Sequence, residues 1–324
     1  MNTDAIGGYL GLELPQYGQE WYPQALRFQS ARAAFLALLR THAPAAVWVP
    51  WYLCDSMLQP LRSAGSIVKR YALRHDLGCP DIALADGEWL LYVNYFGVCD
   101  RHVDDVLARF PHEQVIIDNA HAFFSAARDN LATIYSPRKF VGVPDGGYLT
   151  TRASVELPEV TDDGSVARSS HLLKRLAGGA ESGYADYAAA ECSLEWQEPR
   201  RMSPLTQRLL AAIDYPQVRA RRASNFSFLH ECLGRHNSLT LAAAPDCAPL
   251  CYPFLGAPQG LREAWRSQRI YSATYWPDLE QSQDMPEFER SLPRNTLFIP
   301  CDQRLSPEQL APLARQVLEY RDRQ

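Results

Sequence analysis

LATIYSPRKFVGVPDGGYLTT, residues 131–151, contains two apolar β-like runs, LATIYS (131–136) and GGYLTT (146–151). A parallel pair of strands needs a crossover of a dozen or more residues, usually a helix, and the gap between these runs is too short for one. At least one of them therefore runs against its neighbours, and any sheet containing both is mixed. Between them stands Lys139, in a chain whose 32 Lys plus Arg include only three lysines, Lys69, Lys139 and Lys174. Arginine serves equally well for solubility and better for bidentate ion pairs, but it neither sheds its proton in a protein nor condenses with a carbonyl. Lys139 is thus either an ordinary loop lysine or a reactive amine, and its neighbours have to decide between the two.

Working towards the N-terminus, the pattern alternates. SARAAFLALLRTH (30–42) reads as a helix capped by Ser30, with Phe35, Leu36, Leu38 and Leu39 on its apolar stripe. AVWVPWYL follows as a buried strand, DSMLQPLRSAG as a helix despite Pro60, and SIVKRYAL as a second strand. EWLLYVNYFG (88–97) reads as a strand, VDDVLARFP as a helix, and EQVIIDNAH (113–121) as a strand with a polar end. Such alternation predicts an α/β fold: a three-layer, mostly parallel mixed sheet with functional groups at the carboxyl ends of its strands. From about 165 to 236 the pattern is helical. Strands at APLCYPFLG and NTLFIPCD and helices at GLREAWRSQ and SPEQLAPLARQVLEYRDR then predict a smaller C-terminal α+β domain. The expected division is a large domain over 1–205, with an N-terminal arm, and a small domain over 206–324.

Composition narrows the function. The net charge of -5 and the spread of the arginines give no stripe for a phosphate backbone, which argues against nucleic acid. No apolar run has transmembrane length and the N-terminal stretch lacks the charge and apolar pattern of a leader, so a cytoplasmic location without a membrane partner is expected. Eight cysteines at irregular spacing, with no C-x-x-C pair, suit neither a zinc ribbon nor a disulfide framework. Cys247 and Cys251 are the closest pair, and no nearby histidine completes a metal set.

Asp118, His121, Ser136 and Lys139 fall at the ends of consecutive sheet elements and can converge on one crevice. An aspartate in VIIDNAH either caps a turn or serves a ligand, and a lone histidine in AHAFF is more often structural. Together, an amine, a buried carboxylate and a serine are the parts needed to hold pyridoxal phosphate, whose phosphate would meet a helix start such as SARAAF.

These residues resemble the DegT/DnrJ/StrS sugar aminotransferases, which have the fold of aspartate aminotransferase, the type I fold of pyridoxal-phosphate enzymes. VWVPWYLCDSMLQPLRSAGSIVKRY is similar to the family's strand, helix, "AG" turn and strand; VNYFG resembles "VHLYG"; IIDNAHAF resembles "IEDAAHA"; SPRKFVGVPDGGYLTT resembles the stretch from the cofactor lysine to "GGxxxT". RRMSPLTQRLL and NTLFIPCDQRLSPEQL resemble a later helix start and the terminal strand and helix. The resemblance implies Lys139 as the Schiff-base lysine and proton carrier, Asp118 as partner of the pyridine nitrogen and His121 as contact of the phenolic oxygen. It implies Ser136 for the phosphate, with Ser30, Ala31 and Arg32 at the phosphate-binding helix start.

Three positions depart from the family. Its Gly-Thr or Gly-Ser pair is Ala31-Arg32 here, the aromatic residue over the ring falls at Cys54, and the asparagine reaching the partner subunit's phosphate is Pro199. Trp51, Tyr52 or Tyr95 could supply the missing aromatic, Arg32 could assist the phosphate, and Arg201 remains beside the lost asparagine. The implied function is a homodimeric aminotransferase acting on a keto sugar nucleotide, with glutamate as amino donor. A dehydratase or other α-carbon chemistry, and a non-catalytic binding protein with the same fold, are the alternatives.

Overall fold

The computed structural model describes residues 6–241 and 248–323. Cys247 lies outside them, so the Cys247/Cys251 reading has no structural counterpart. In chain order the strands are β1 Leu26–Phe28, β2 Ala46–Pro50, β3 Val68–Tyr71, β4 Glu88–Val93, β5 Val115–Asp118, β6 Ala132–Tyr135, β7 Gly147–Thr151, β8 Cys251–Leu255 and β9 Thr296–Pro300. The helices are α1 Ala31–His42, α2 Asp55–Ser63, α3 Asp100–Arg109, α4 Ser165–Arg168, α5 Ser170–Gly178 and α6 Tyr184–Cys192, followed by α7 Pro204–Ala211, α8 Tyr215–Leu233, α9 Leu261–Ser267, α10 Glu287–Asn295 and α11 Pro307–Arg321.

Seven strands form one sheet in the order β1-β7-β6-β5-β4-β2-β3. The pairs β2/β3, β2/β4, β4/β5 and β5/β6 are parallel, whereas β7 is antiparallel to both β6 and β1. The strand that breaks the parallel set is thus the GGYLTT run. Every residue of β4, β5 and β6 is buried, so the centre of the sheet is covered on both faces, as a near-continuous apolar run requires. The cover comes from α1 and α2, whose Phe35, Leu38, Leu39, Met57 and Leu61 share one core cluster with Val47, Leu91 and Ile117. Helix α1 forms because a run of Ala and Leu follows a good cap: the Ser30 hydroxyl accepts from the Ala33 amide at 3.2 Å.

A second core joins Phe123, Tyr135, Phe140 and Tyr148 to Leu210 of α7 and Tyr215 and Val218 of α8. The small β8/β9 sheet, antiparallel, has a third core with Trp265, Leu310, Val317 and the second half of α8, Phe226, Leu229 and Leu233. One long helix therefore belongs to two cores.

Several strands are shorter than their apolar runs. β2 stops at Pro50 instead of running through Leu53. β4 stops at Val93, and Tyr95–Gly97 is a 3-10 turn with Phe96 left-handed at φ 57. β5 spans 115–118 rather than 113–121. β1, in the arm, and α10, which contains Pro293, are elements the periodicity does not reveal.

The double glycine has a steric cause. A Cβ on Gly147 would lie 2.2–2.4 Å from the backbone of Ser30 and Ala31, and the Gly146 amide donates to Gln29 O at 2.7 Å. β7 presses directly on the start of α1, with room for no side chain. Gly147→Ala should lower unfolding free energy by about 3 kcal/mol or more, measured by chemical denaturation; a change below about 1 kcal/mol would contradict this packing.

Candidate active site

Asp118 is the last residue of β5, and Lys139 ends the 3-10 turn Pro137–Lys139 that follows β6, its neighbour in the sheet. Both stand at the carboxyl ends of neighbouring parallel strands, the edge at which open α/β sheets bind ligands, and the Lys139 charge acts on Asp118. Asp118 is buried; one oxygen accepts the Ala120 amide at 2.8 Å. Burial pushes its carboxyl up from 3.8 to about 6, against the opposing pull of that amide and of the Lys139 charge.

His121, also buried, lies with Nε2 3.3 Å from Lys139 Nζ and with Nδ1 3.4 Å from the Phe96 amide. Burial, and then the Lys139 charge, hold the imidazole well below its usual pKa, so it is neutral. A neutral imidazole that accepts the Phe96 N–H on Nδ1 must carry its proton on Nε2. It then turns a donor towards the lysine, itself a donor. The two converge where an acceptor oxygen on a ligand would satisfy both.

Cys54, half-buried at the start of α2, has Sγ 3.0 Å from Ser56 Oγ. Burial raises its thiol, and the charges of Lys139 and Asp118 both act on it, which puts it beside them. Tyr52 is fully buried, stacks on Tyr95 at 5.6 Å, and its hydroxyl has no hydrogen-bond partner. Arg32, in the first turn of α1, donates to Gln59 at 3.3 Å; burial lowers its guanidinium, with Glu191, Arg138 and Cys54 close enough to act on it. Ser30, Ala31 and Arg32 thus stand at the helix start, and Gly146 links that start to Pro137 of the lysine turn. Ser136 is buried directly before this turn, and its carbonyl accepts the Lys139 amide at 3.4 Å.

The other positions have occupations of their own. The Trp51 ring lies under Arg70 at 5.4 Å, the Tyr95 hydroxyl donates to Tyr52 O at 2.7 Å, and Arg201 donates to Pro158 O at 2.5 Å.

Further residues complete the surroundings. Asn94 donates to Asp100 at 2.8 Å and to Asn119 at 3.1 Å, tying together the ends of β4 and β5. Arg138 pairs with Glu191 of α6. Buried Arg222 of α8 donates to Gln303, to the carbonyls of Pro249, Leu250 and Phe140, and lies over the Phe140 ring at 4.5 Å. It fixes the segment after Lys139 to the β8/β9 unit. A cavity of about 1240 Å³ opens from Lys139 between the α5–α6 hairpin and that unit. It is lined by Arg138, Lys139, Arg175, Arg222, Arg266 and Arg304 against Glu181, Glu191 and Asp302. Glu191, Glu181 and Asp302 are taken by Arg138, Arg269 and Arg304, which leaves Arg175, Arg222 and Arg266 with no carboxylate partner among the described residues.

No family model and no curated protein matches the chain. Solved structures do. A DegT DnrJ EryC1 StrS aminotransferase from Brucella abortus is 15% identical over 91% of this chain and 85% of that one, with a TM-score of 0.62. The sugar aminotransferase CalS13 from Micromonospora echinospora is 14% identical over 92% and 87%, with a TM-score of 0.63. The PLP form of Spr1654 from Streptococcus pneumoniae is 15% identical over 93% and 88%, also at 0.63. Likeness over nearly the whole of both chains establishes the shared fold.

The Asp118 carboxyl has a higher pKa folded than unfolded, so its contribution to stability is fully present below about pH 4 and is lost as pH rises through about 6. Without a ligand, Asp118→Asn should raise unfolding free energy at pH 8 by about 3 kcal/mol, the equivalent of two pKa units, and change little at pH 4. Denaturation at both pH values measures this. A destabilised variant at pH 8 would mean that the protein itself satisfies the carboxylate.

Proposed function

We propose that the chain is a pyridoxal-phosphate-dependent aminotransferase that transfers an amino group to a keto sugar nucleotide, with glutamate as donor. The observation that carries this reading is the convergence of Lys139, His121 and Asp118 at the end of β5 in a fold shared with sugar aminotransferases. A buried carboxylate with a raised pKa is stabilised by a protonated ring nitrogen, and the donors of Lys139 and His121 suit a carbonyl and phenolic oxygen. Ser136 and the start of α1, with Arg32 in place of a small hydroxyl residue, hold the phosphate. Ala31 contributes its backbone there, and Tyr52 and Cys54 line the ring.

When bound, the cofactor supplies an electron sink for a carbanion at the substrate carbon. Lys139 Nζ, 3.3 Å from His121 Nε2, would hold the cofactor and would take up and return the proton of the donor's amino-bearing carbon, acting first as base and then as acid. Asp118 would keep a proton on the ring nitrogen through an ion pair, and His121 Nε2–H would donate to the phenolic oxygen and orient the ring. Arg222 and the Arg138–Glu191 pair keep the lysine turn in place on either side.

Arg175 and Arg266, which line the cavity and have no carboxylate partner among the described residues, favour an anionic substrate, as a nucleotide-linked sugar and a dicarboxylic donor are. Exposed Ile6, Tyr9, Leu10 and Leu12 on the arm, with Leu173, Leu176 and Tyr184 on the hairpin, support a homodimer. Buried thiols at Cys79, Cys99, Cys251 and Cys301 suit a cytoplasmic enzyme.

Incubation with pyridoxal phosphate, borohydride reduction and peptide mass spectrometry should find the pyridoxyl group on Lys139 alone. Lys139→Arg should fold but take no label, and glutamate added before reduction should convert the cofactor to its amine form and abolish labelling of the wild type. Labelling of Lys69 or Lys174 instead would overturn the assignment. Retention of the label in the presence of every amino donor would favour a binding protein.

A further inference from the structure

The wall of the crevice facing His121 comes from the β8/β9 unit. Residues 272–276 run beside β9: Ala273 bridges Phe298, and the Ser272 hydroxyl donates to Phe298 O at 2.9 Å. Trp276 ends this run with φ 55 and ψ 56, a left-handed conformation that a tryptophan adopts only where its surroundings impose it. Its indole lies nearly parallel to the His121 ring, 15° and 5.6 Å away, and meets Tyr52 edge-on at 4.5 Å. The preceding Tyr275 packs against His121 at 5.1 Å and against Phe298 at 4.7 Å. Trp276 remains half-buried, although an indole beside so many rings could have been enclosed. Position 54, close enough to Lys139 and Asp118 for their charges to act on it, offers only a thiol.

We propose that Trp276 is the aromatic cover of the bound cofactor ring, the part that a side chain at position 54 is too small to play; this rests on the pyridoxal-phosphate reading above. A flat heterocycle gains most when an aromatic face lies offset over it, and the left-handed backbone at 276 sets the indole against His121, parallel to its ring, and beside Tyr52. Because this residue belongs to the β8/β9 unit, capture of the ring also fastens that unit to the large sheet. Arg222 makes the same join from the lysine side.

Equilibrium dialysis of pyridoxal phosphate against the wild type, Trp276→Phe and Trp276→Ala tests the proposal. The alanine variant should bind about tenfold more weakly and the phenylalanine variant within about threefold of the wild type, as expected for one aromatic contact. A residue that only packs would lower the melting temperature of the cofactor-free protein and leave the dissociation constant unchanged. Should the alanine variant not fold, emission serves instead. The extra fluorescence of the wild type over Trp276→Phe, present without cofactor, should vanish once pyridoxal phosphate is bound. Persistence of that difference, or equal or tighter binding by the alanine variant, overturns the proposal. Absence of binding by the wild type would instead refute the cofactor reading itself.

Discussion

A carboxylate with no ion-pair partner among the described residues, buried at the end of a central strand, is the constraint on which the rest of this structure depends. Asp118 has one backbone donor and the charge of Lys139 to offset its loss of water, and burial still pushes its carboxyl up to about 6. Such an arrangement is unfavourable in an empty crevice and favourable around a cationic ring. The surroundings hold it in place. Asn94 and Asn119 lock the ends of β4 and β5, Arg222 and Gln303 hold the carbonyl of Phe140, and the Arg138–Glu191 pair steadies the turn from its other side.

The predominance of arginine follows from the same economy of charge. Arginine satisfies several carbonyls at once without losing its proton, as Arg222 does at the junction of the units. A guanidinium could therefore staple Phe140 to the strand unit, but at the residue before it only an amine could condense with a carbonyl. Lys69 forms an ion pair with Glu88 and Lys174 one with Asp186, which leaves Lys139 as the lysine that faces a histidine in the crevice.

How far the molecule was legible in its sequence depends on what each feature needs. The alternation of elements and the reversed strand could be read, because burial of the sheet centre imposes long apolar runs and a short connection forbids a crossover. The candidates at 118, 121 and 139 could be read as polar residues at or just past the ends of apolar runs. Strand ends could not: Tyr52 and Leu53 after β2 and Tyr95 and Phe96 after β4 stay apolar because they are buried in the main core, and periodicity cannot separate a buried turn from a strand. β1 has only three residues and exists by virtue of its pairing with β7. Trp276 and Arg222 lie more than eighty residues from Lys139 in sequence, and only tertiary packing brings them to the site. At position 54 the absence of an aromatic residue was plain, but its spatial substitute was not.

The central claim is that the Asp118 carboxylate holds a proton on the ring nitrogen of a cofactor anchored at Lys139. Nitrogen NMR of the protein loaded with pyridoxal phosphate labelled at that nitrogen tests it most directly. In the wild type the resonance should stay at the protonated position through neutral and mildly alkaline pH, and in Asp118→Asn it should move to the deprotonated one. A wild-type resonance that titrates as the unbound cofactor does would contradict the account.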